Sequence, residues 1–166
     1  MFPMGLFSNG MQGHTATISG NDADGWHLFE KQGGPGTSGN RHEKFGTLEE
    51  FRSLGRGDGY TSAVRITTDT VTDKAMQEYG EANFNKPYDV EKENCASLSR
   101  GIAQNAGMSS ETKYIKVLGS NIPVPKAVMS EAAQLGKPAI NQIHSDGQLK
   151  KDEAARMKAL APGYRQ

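Results

Sequence analysis

The sequence predicts an α+β domain with a small antiparallel sheet packed against helices. Two β-rich runs near the start, residues 14–18 and 26–29, flank the turn-forming Asn21-Asp22-Ala23-Asp24-Gly25. Capped helical segments come after them. The resulting order is hairpin, helix, strand, helix, a further capped helix and two more helices, an order that belongs to α+β domains.

Taken in order, residues 1–11 read as a tether and residues 12–166 as the domain. His14-Thr15-Ala16-Thr17-Ile18 is rich in β-branched residues and reads as a strand. Trp26-His27-Leu28-Phe29 reads as its hairpin partner. Residues 32–46 hold five glycines and a proline and read as a long irregular loop. The loop lacks the Gly-Lys-Ser/Thr ending of a phosphate cradle. Residues 47–54 form a short helix capped by Thr47, with Glu49 and Glu50 in its first turn. Residues 62–67 form a strand. Thr70 or Thr72 caps a helix that runs to about Phe84, and Pro87 holds an extended stretch after it. Asn94 caps a helix over 95–106, and Gly107 stops it. A polar linker leads to Ile122-Pro123-Val124-Pro125 and a helix over 126–135. A charged helix over 151–160 closes the order.

Composition narrows the functional classes. With 166 residues there is room for one core, and 20 glycines with 35% hydrophobic residues predict a modest core with long polar loops. Lysines and arginines number 19, as do the acidic residues, so no basic excess invites nucleic acid. No apolar run is long enough to span a bilayer. We expect neither a nucleic-acid nor a membrane partner. One cysteine forms no internal disulfide. That cysteine and the four histidines, His14, His27, His42 and His144, show no tight ligand spacing, and we expect no metal and no cofactor. His42 and His144 read as loop histidines, and Met76 and Met129 as core filler.

Cys95 is nonetheless placed for chemistry. A thiol becomes a strong nucleophile as a thiolate, which a helix N-terminus and an imidazolium both favour. Cys95 opens its helix, where unpaired amides can hold a thiolate or an oxyanion. Leu98 and Ile102 share its face at helical spacing. His14, at the start of a core strand, is the candidate base. An inert packing cysteine beside an exposed strand-end histidine is the bland alternative.

A resemblance sharpens that choice. Gly13-His14-Thr15-Ala16 followed by Asp24-Gly25-Trp26 resembles the first hairpin of circularly permuted papain-like proteins, the superfamily of NlpC-type peptidases and lecithin:retinol acyltransferase-like enzymes. Tyr88-Asp89-Val90 and Glu93-Asn94-Cys95-Ala96-Ser97-Leu98 resemble their nucleophile segment. Ile122-Pro123-Val124-Pro125-Lys126 resembles a segment of toxin-associated members. The likeness covers roughly residues 12–135. It implies a papain-like fold with Cys95 as nucleophile, His14 as base and a polar residue on the next strand to orient the imidazole. Permuted members often carry a second histidine there, so His27 is the first choice. Glu30 is the runner-up, because strand alternation puts it on the opposite face from His27. Asp22 and Asp24 read as turn residues.

Separately, Pro3-Met4-Gly5-Leu6-Phe7 resembles the end of the Asp-Pro-x-Gly-Leu motif that closes the shell of Rhs polymorphic toxins, with Phe2 in place of the aspartate. The two resemblances together imply a cysteine protease toxin, delivered by type VI secretion in interbacterial competition and acting in the recipient cytoplasm. The implied partners are a protein substrate in the recipient, a cognate immunity protein and the Rhs shell before release. A peptidoglycan peptidase or amidase, a protein deamidase or an acyltransferase would use the same fold. A binding module with a decayed site is the non-enzymatic alternative.

Overall fold

The computed structural model describes residues 1–7, 13–33, 35–108, 114–117 and 120–161. The chain is α+β, as expected, but its sheet has six strands. These are β1 (Phe2–Phe7), β2 (Gly13–Asn21), β3 (Gly25–Lys31), β4 (Asn40–Phe45), β5 (Ser62–Arg65) and β8 (Lys137–Pro138). Their order across the sheet is β4-β3-β2-β1-β5-β8, with every neighbouring pair antiparallel. A separate hairpin pairs β6 (Tyr114–Val117) with β7 (Ser120–Pro123). The helices are α1 (Leu48–Ser53), α2 (Thr70–Asn83), α3 (Cys95–Gln104), α4 (Pro125–Leu135), α5 (Ile140–Ile143) and α6 (Asp146–Leu160).

Strand alternation sends successive side chains to opposite faces, and two apolar cores result. One gathers Phe29, Met76, Ile102, Val128 and Met129 beneath α2, α3 and α4. The other gathers Phe2, Met4, Ile18, Leu28 and Phe51 beneath α1 and α5. Fully burying one such side chain contributes about 1.5–3 kcal/mol. Met76 and Met129 are core residues, as the sequence suggested.

Several expectations change. Phe2 to Phe7, read as tether, is a strand in the middle of the sheet, paired to both β2 and β5. Phe2 and Met4 are fully buried, so the reason for the segment's apolar character is packing. Residues 8–11 of that tether lie outside the described residues. The second half of the loop expected over 32–46 is strand β4, whose residues alternate along an edge and pair with β3. The linker expected before Ile122 contains the β6–β7 hairpin, and its residues 109–113 and 118–119 lie outside the described ones. The cap of α2 is Asp69, whose side chain accepts from the Thr72 amide, and not Thr70 or Thr72. The last helix starts earlier than expected, at Asp146 behind the Ser145 cap. Among the described residues no helix is long and apolar enough to cross a membrane.

Candidate active site

Three elements converge on one thiol. The first is α3, whose start is set by a capping box. Asn94 Oδ1 accepts from the Ser97 amide at 2.9 Å, and Ser97 Oγ accepts from the Asn94 amide at 2.9 Å. The Leu98 amide donates to the Asn94 carbonyl. The cap thus takes up the third and fourth amides of the helix, and the first two, those of Cys95 and Ala96, are ones for which an α-helix itself supplies no partner. Gly107, at φ 93°, ends the turn beyond the helix in the left-handed region that glycine tolerates. Cys95 itself is nearly buried, at 8% exposure.

The second element is β2, where His14 is the second residue. Its backbone pairs with Leu6 of β1, which fixes the ring's place along the strand. The ring is one-fifth exposed, and Cys95 is one of the two groups that favour its charge.

The third element is β3. Ala16 pairs with Glu30, so His14 and Glu30 project to the same side of adjacent strands. His14 Nε2 lies 3.0 Å from Glu30 Oε1. Tyr60 Oη donates to that same oxygen at 2.5 Å, and the Tyr60 ring stacks on His14 at 6.0 Å between centroids. Arg41 Nε stands 3.5 Å from the other oxygen, Glu30 Oε2. The phenol is anchored in turn, because buried His144 meets the Tyr60 carbonyl through Nε2 at 2.8 Å. His144 also meets Asp152 of α6 through Nδ1 at 2.8 Å. It lies in the connection between α5 and α6, as the loop reading expected, but it is buried there.

The electrostatics follow from these contacts. Burial disfavours a charged His14, yet its interactions with Cys95 and Glu30 outweigh that and raise its pKa to about 9. Burial likewise opposes an ionised Glu30. Hydrogen bonds from His14 and Tyr60, then the charges of His14 and Arg41, overcome it and bring its pKa down to about 2. Burial first, and the adjacent Glu30 charge second, push the Tyr60 phenol far up, which keeps it a hydrogen-bond donor. His14 is therefore an imidazolium at neutral pH, held between the sulfur of Cys95 and the carboxylate of Glu30.

No family model, no curated protein and no solved structure matches the chain.

The structure brings Cys95, His14 and Glu30 together and leaves His27 out. His27 belongs to the same strand as Glu30 but occupies an odd position relative to it, so alternation turns it to the other face. There it meets His42 of β4 and Glu81 of α2. Burial first, and neighbouring positive charge second, lower the His27 pKa, and burial also lowers that of His42. Of the two residues that the sequence offered to orient His14, the runner-up Glu30 is the one in contact with its ring, and His27 meets other partners instead. Asp22 and Asp24 serve the turn, as expected. Asp22 accepts from Trp26 Nε1 at 2.6 Å and from the Leu48 amide at 2.9 Å, and Asp24 accepts from Asn21. Tyr60 and Arg41 were missed from the sequence. No local pattern announces either, since both reach Glu30 through strand pairing and tertiary packing.

Proposed function

We propose that this domain is a papain-like cysteine hydrolase of the permuted kind that cleaves a peptide bond in a protein. The observation that carries the reading is the run Cys95–His14–Glu30, in which His14 is hydrogen-bonded to Glu30 and its charge is favoured by Cys95, with Cys95 at the capped start of a helix. A helix-borne thiol, a strand-borne imidazole and an acid on the adjacent strand form a nucleophile, base and orienting group. Their order along the chain, histidine before acid before cysteine, agrees with the permuted arrangement that the sequence resembles.

In the proposed cycle His14 carries the proton of Cys95. The sulfur attacks the carbonyl carbon, and the Cys95 and Ala96 amides stabilise the resulting oxyanion. As the C–N bond breaks, His14 Nδ1, the ring nitrogen that Glu30 does not hold, gives its proton to the departing amine. Water then attacks the thioester with His14 as base, which frees the acid and restores the thiol. Glu30 keeps the ring oriented and its cation stabilised throughout.

Action as a delivered toxin in a recipient cytoplasm, with an immunity protein and an Rhs shell as partners, rests on the resemblances of residues 3–7 and 122–126. The burial of Phe2 and Met4 in β1 gives the first of these a second, structural explanation.

The test is incubation of the wild type and of Cys95→Ala with bacterial lysate and with purified sacculi, each read by mass spectrometry. New protein termini that need Cys95 support the reading. Cysteine-dependent release of wall peptides, or glutamine deamidation without new termini, would replace it with another hydrolase of the same fold. Identical products from both proteins would overturn it.

A further inference from the structure

The histidine excluded from the thiol site belongs to a second cluster. In the β3–β4 pair, His27 lies opposite Lys44, and Phe29 opposite His42. Antiparallel pairing therefore sets His27 and His42 as diagonal neighbours on one face. Helix α2 crosses that face closely. At Gly80 an added Cβ would stand 2.5 Å from the Phe29 ring, so only glycine permits the approach. The next residue, Glu81, then reaches both rings. His27 Nδ1 and His42 Nε2 are 3.1 Å apart, and Glu81 Oε1 lies 3.5 Å from the first and 4.0 Å from the second.

These separations match a shared metal ion. Ligand atoms placed about 2.0–2.1 Å from a tetrahedral zinc stand about 3.3–3.4 Å from one another. The observed triangle brackets that value and needs only small side-chain rotations to meet it. We propose that His27, His42 and Glu81 form a zinc site with one coordination position open to solvent. Two imidazoles and one carboxylate suit zinc better than magnesium or calcium, which prefer all-oxygen shells.

The surroundings suit the role. Phe29 stacks on His42 at 4.6 Å and Phe84 flanks it at 5.3 Å, so the ring is held in place. The Glu81 side chain is 44% exposed, which opens a path for the ion. Lys44 Nζ lies 3.5 Å from Glu81 Oε1, and its 65% exposed side chain can turn into solvent as the ion arrives. The hydrogen that His27 and His42 share moves to an outer ring nitrogen, which leaves both inner lone pairs for the metal. The ion ties β4, the edge of the sheet, to α2. It acts as a staple and takes no part in the thiol chemistry.

The test is isothermal titration of zinc chloride into chelator-stripped full chain, with the thermal midpoint followed in parallel. One zinc per chain is expected, with a midpoint that rises with zinc concentration. Cys95→Ala, which removes the other zinc-binding group, should bind equally well. Glu81→Gln should weaken binding about tenfold or more, and His42→Ala should abolish it. Glu81 is on the open side of its helix, so Glu81→Gln decides the matter even if His42→Ala fails to fold. Absence of saturable uptake, uptake unchanged in Glu81→Gln, or uptake lost in Cys95→Ala would each overturn the proposal.

Discussion

Tyr60 donates its phenolic hydrogen to Glu30 at 2.5 Å, on the same oxygen that faces His14. One carboxylate oxygen thus serves both a neutral donor and an imidazole. The phenol supports the charge on Glu30, and Glu30 supports the charge on His14. The base of the proposed nucleophile is tuned from two residues away.

Removing that phenol should be measurable without any substrate. Tyr60→Phe keeps the ring that stacks on His14 and deletes only the donor. A hydrogen bond to a charged group contributes about 1.5–3 kcal/mol, and urea unfolding of the variant should show a loss of that order. The Glu30 pKa should rise from about 2, as read by carbon NMR of the carboxyl.

Glu30→Gln should cost more in function. The ring of His14 then loses its anionic partner, and turnover of p-nitrophenyl acetate should fall by about 10²-fold or more. The basic limb of the pH profile should also move down from about 9 toward the ordinary histidine value of 6.5. A residue of purely structural importance would lower the rate and leave that limb in place.

The same pair predicts how stability depends on pH. The His14 pKa is raised in the folded state, from 6.5 to about 9, so its contribution is full below 6.5 and lost as pH climbs through 9. The Glu30 pKa is depressed, from 4.5 to about 2, so its contribution is full above 4.5 and lost as pH falls through 2. Both are at full strength between 4.5 and 6.5. The part of the thermal midpoint that this pair sets should fall between 6.5 and 9. His14→Ala should flatten that alkaline fall, a comparison that calorimetry across pH can make.

Asn94 carries the start of the nucleophile helix. Asn94→Ala removes the acceptor of the Ser97 amide and should destabilise the fold by about 0.5–2 kcal/mol in urea unfolding. Asn94→Asp keeps an acceptor in place and should recover most of that loss.

What could be read from the sequence was what local chemistry dictates. Asn94 starts its helix by side-chain capping, written within a few residues, whereas the end is missed by two: the helix stops at Gln104, and Gly107 makes the left-handed turn beyond it. Thr47 capped α1 for the same reason. The β-branched run after His14 was legible as a strand. The choice between His27 and Glu30 was not, because β3 is buried along most of both faces and shows no polar side to orient it. The strand of residues 2–7 was hidden for a related reason. Its glycine and proline read as loop residues, and only pairing with β2 and β5 makes them a strand. Asn40–Phe45 lacks an apolar face because it lies at the sheet edge, so its sequence resembled the glycine-rich loop before it. His42 was misplaced with it, and the neighbourhood of His42, His27 and Glu81 became visible only once strand and helix were in register.

The most direct test of the central claim is the rate at which Cys95 is alkylated by iodoacetamide at neutral pH, in the wild type and in His14→Ala. His14→Ala removes a ring beside the sulfur and so widens access to it, which means that a slower rate in the variant reports the loss of the imidazole and not of access. The account predicts a wild-type rate above that of a free thiol, with a drop of about tenfold or more in His14→Ala. Equal rates in the two proteins would contradict it.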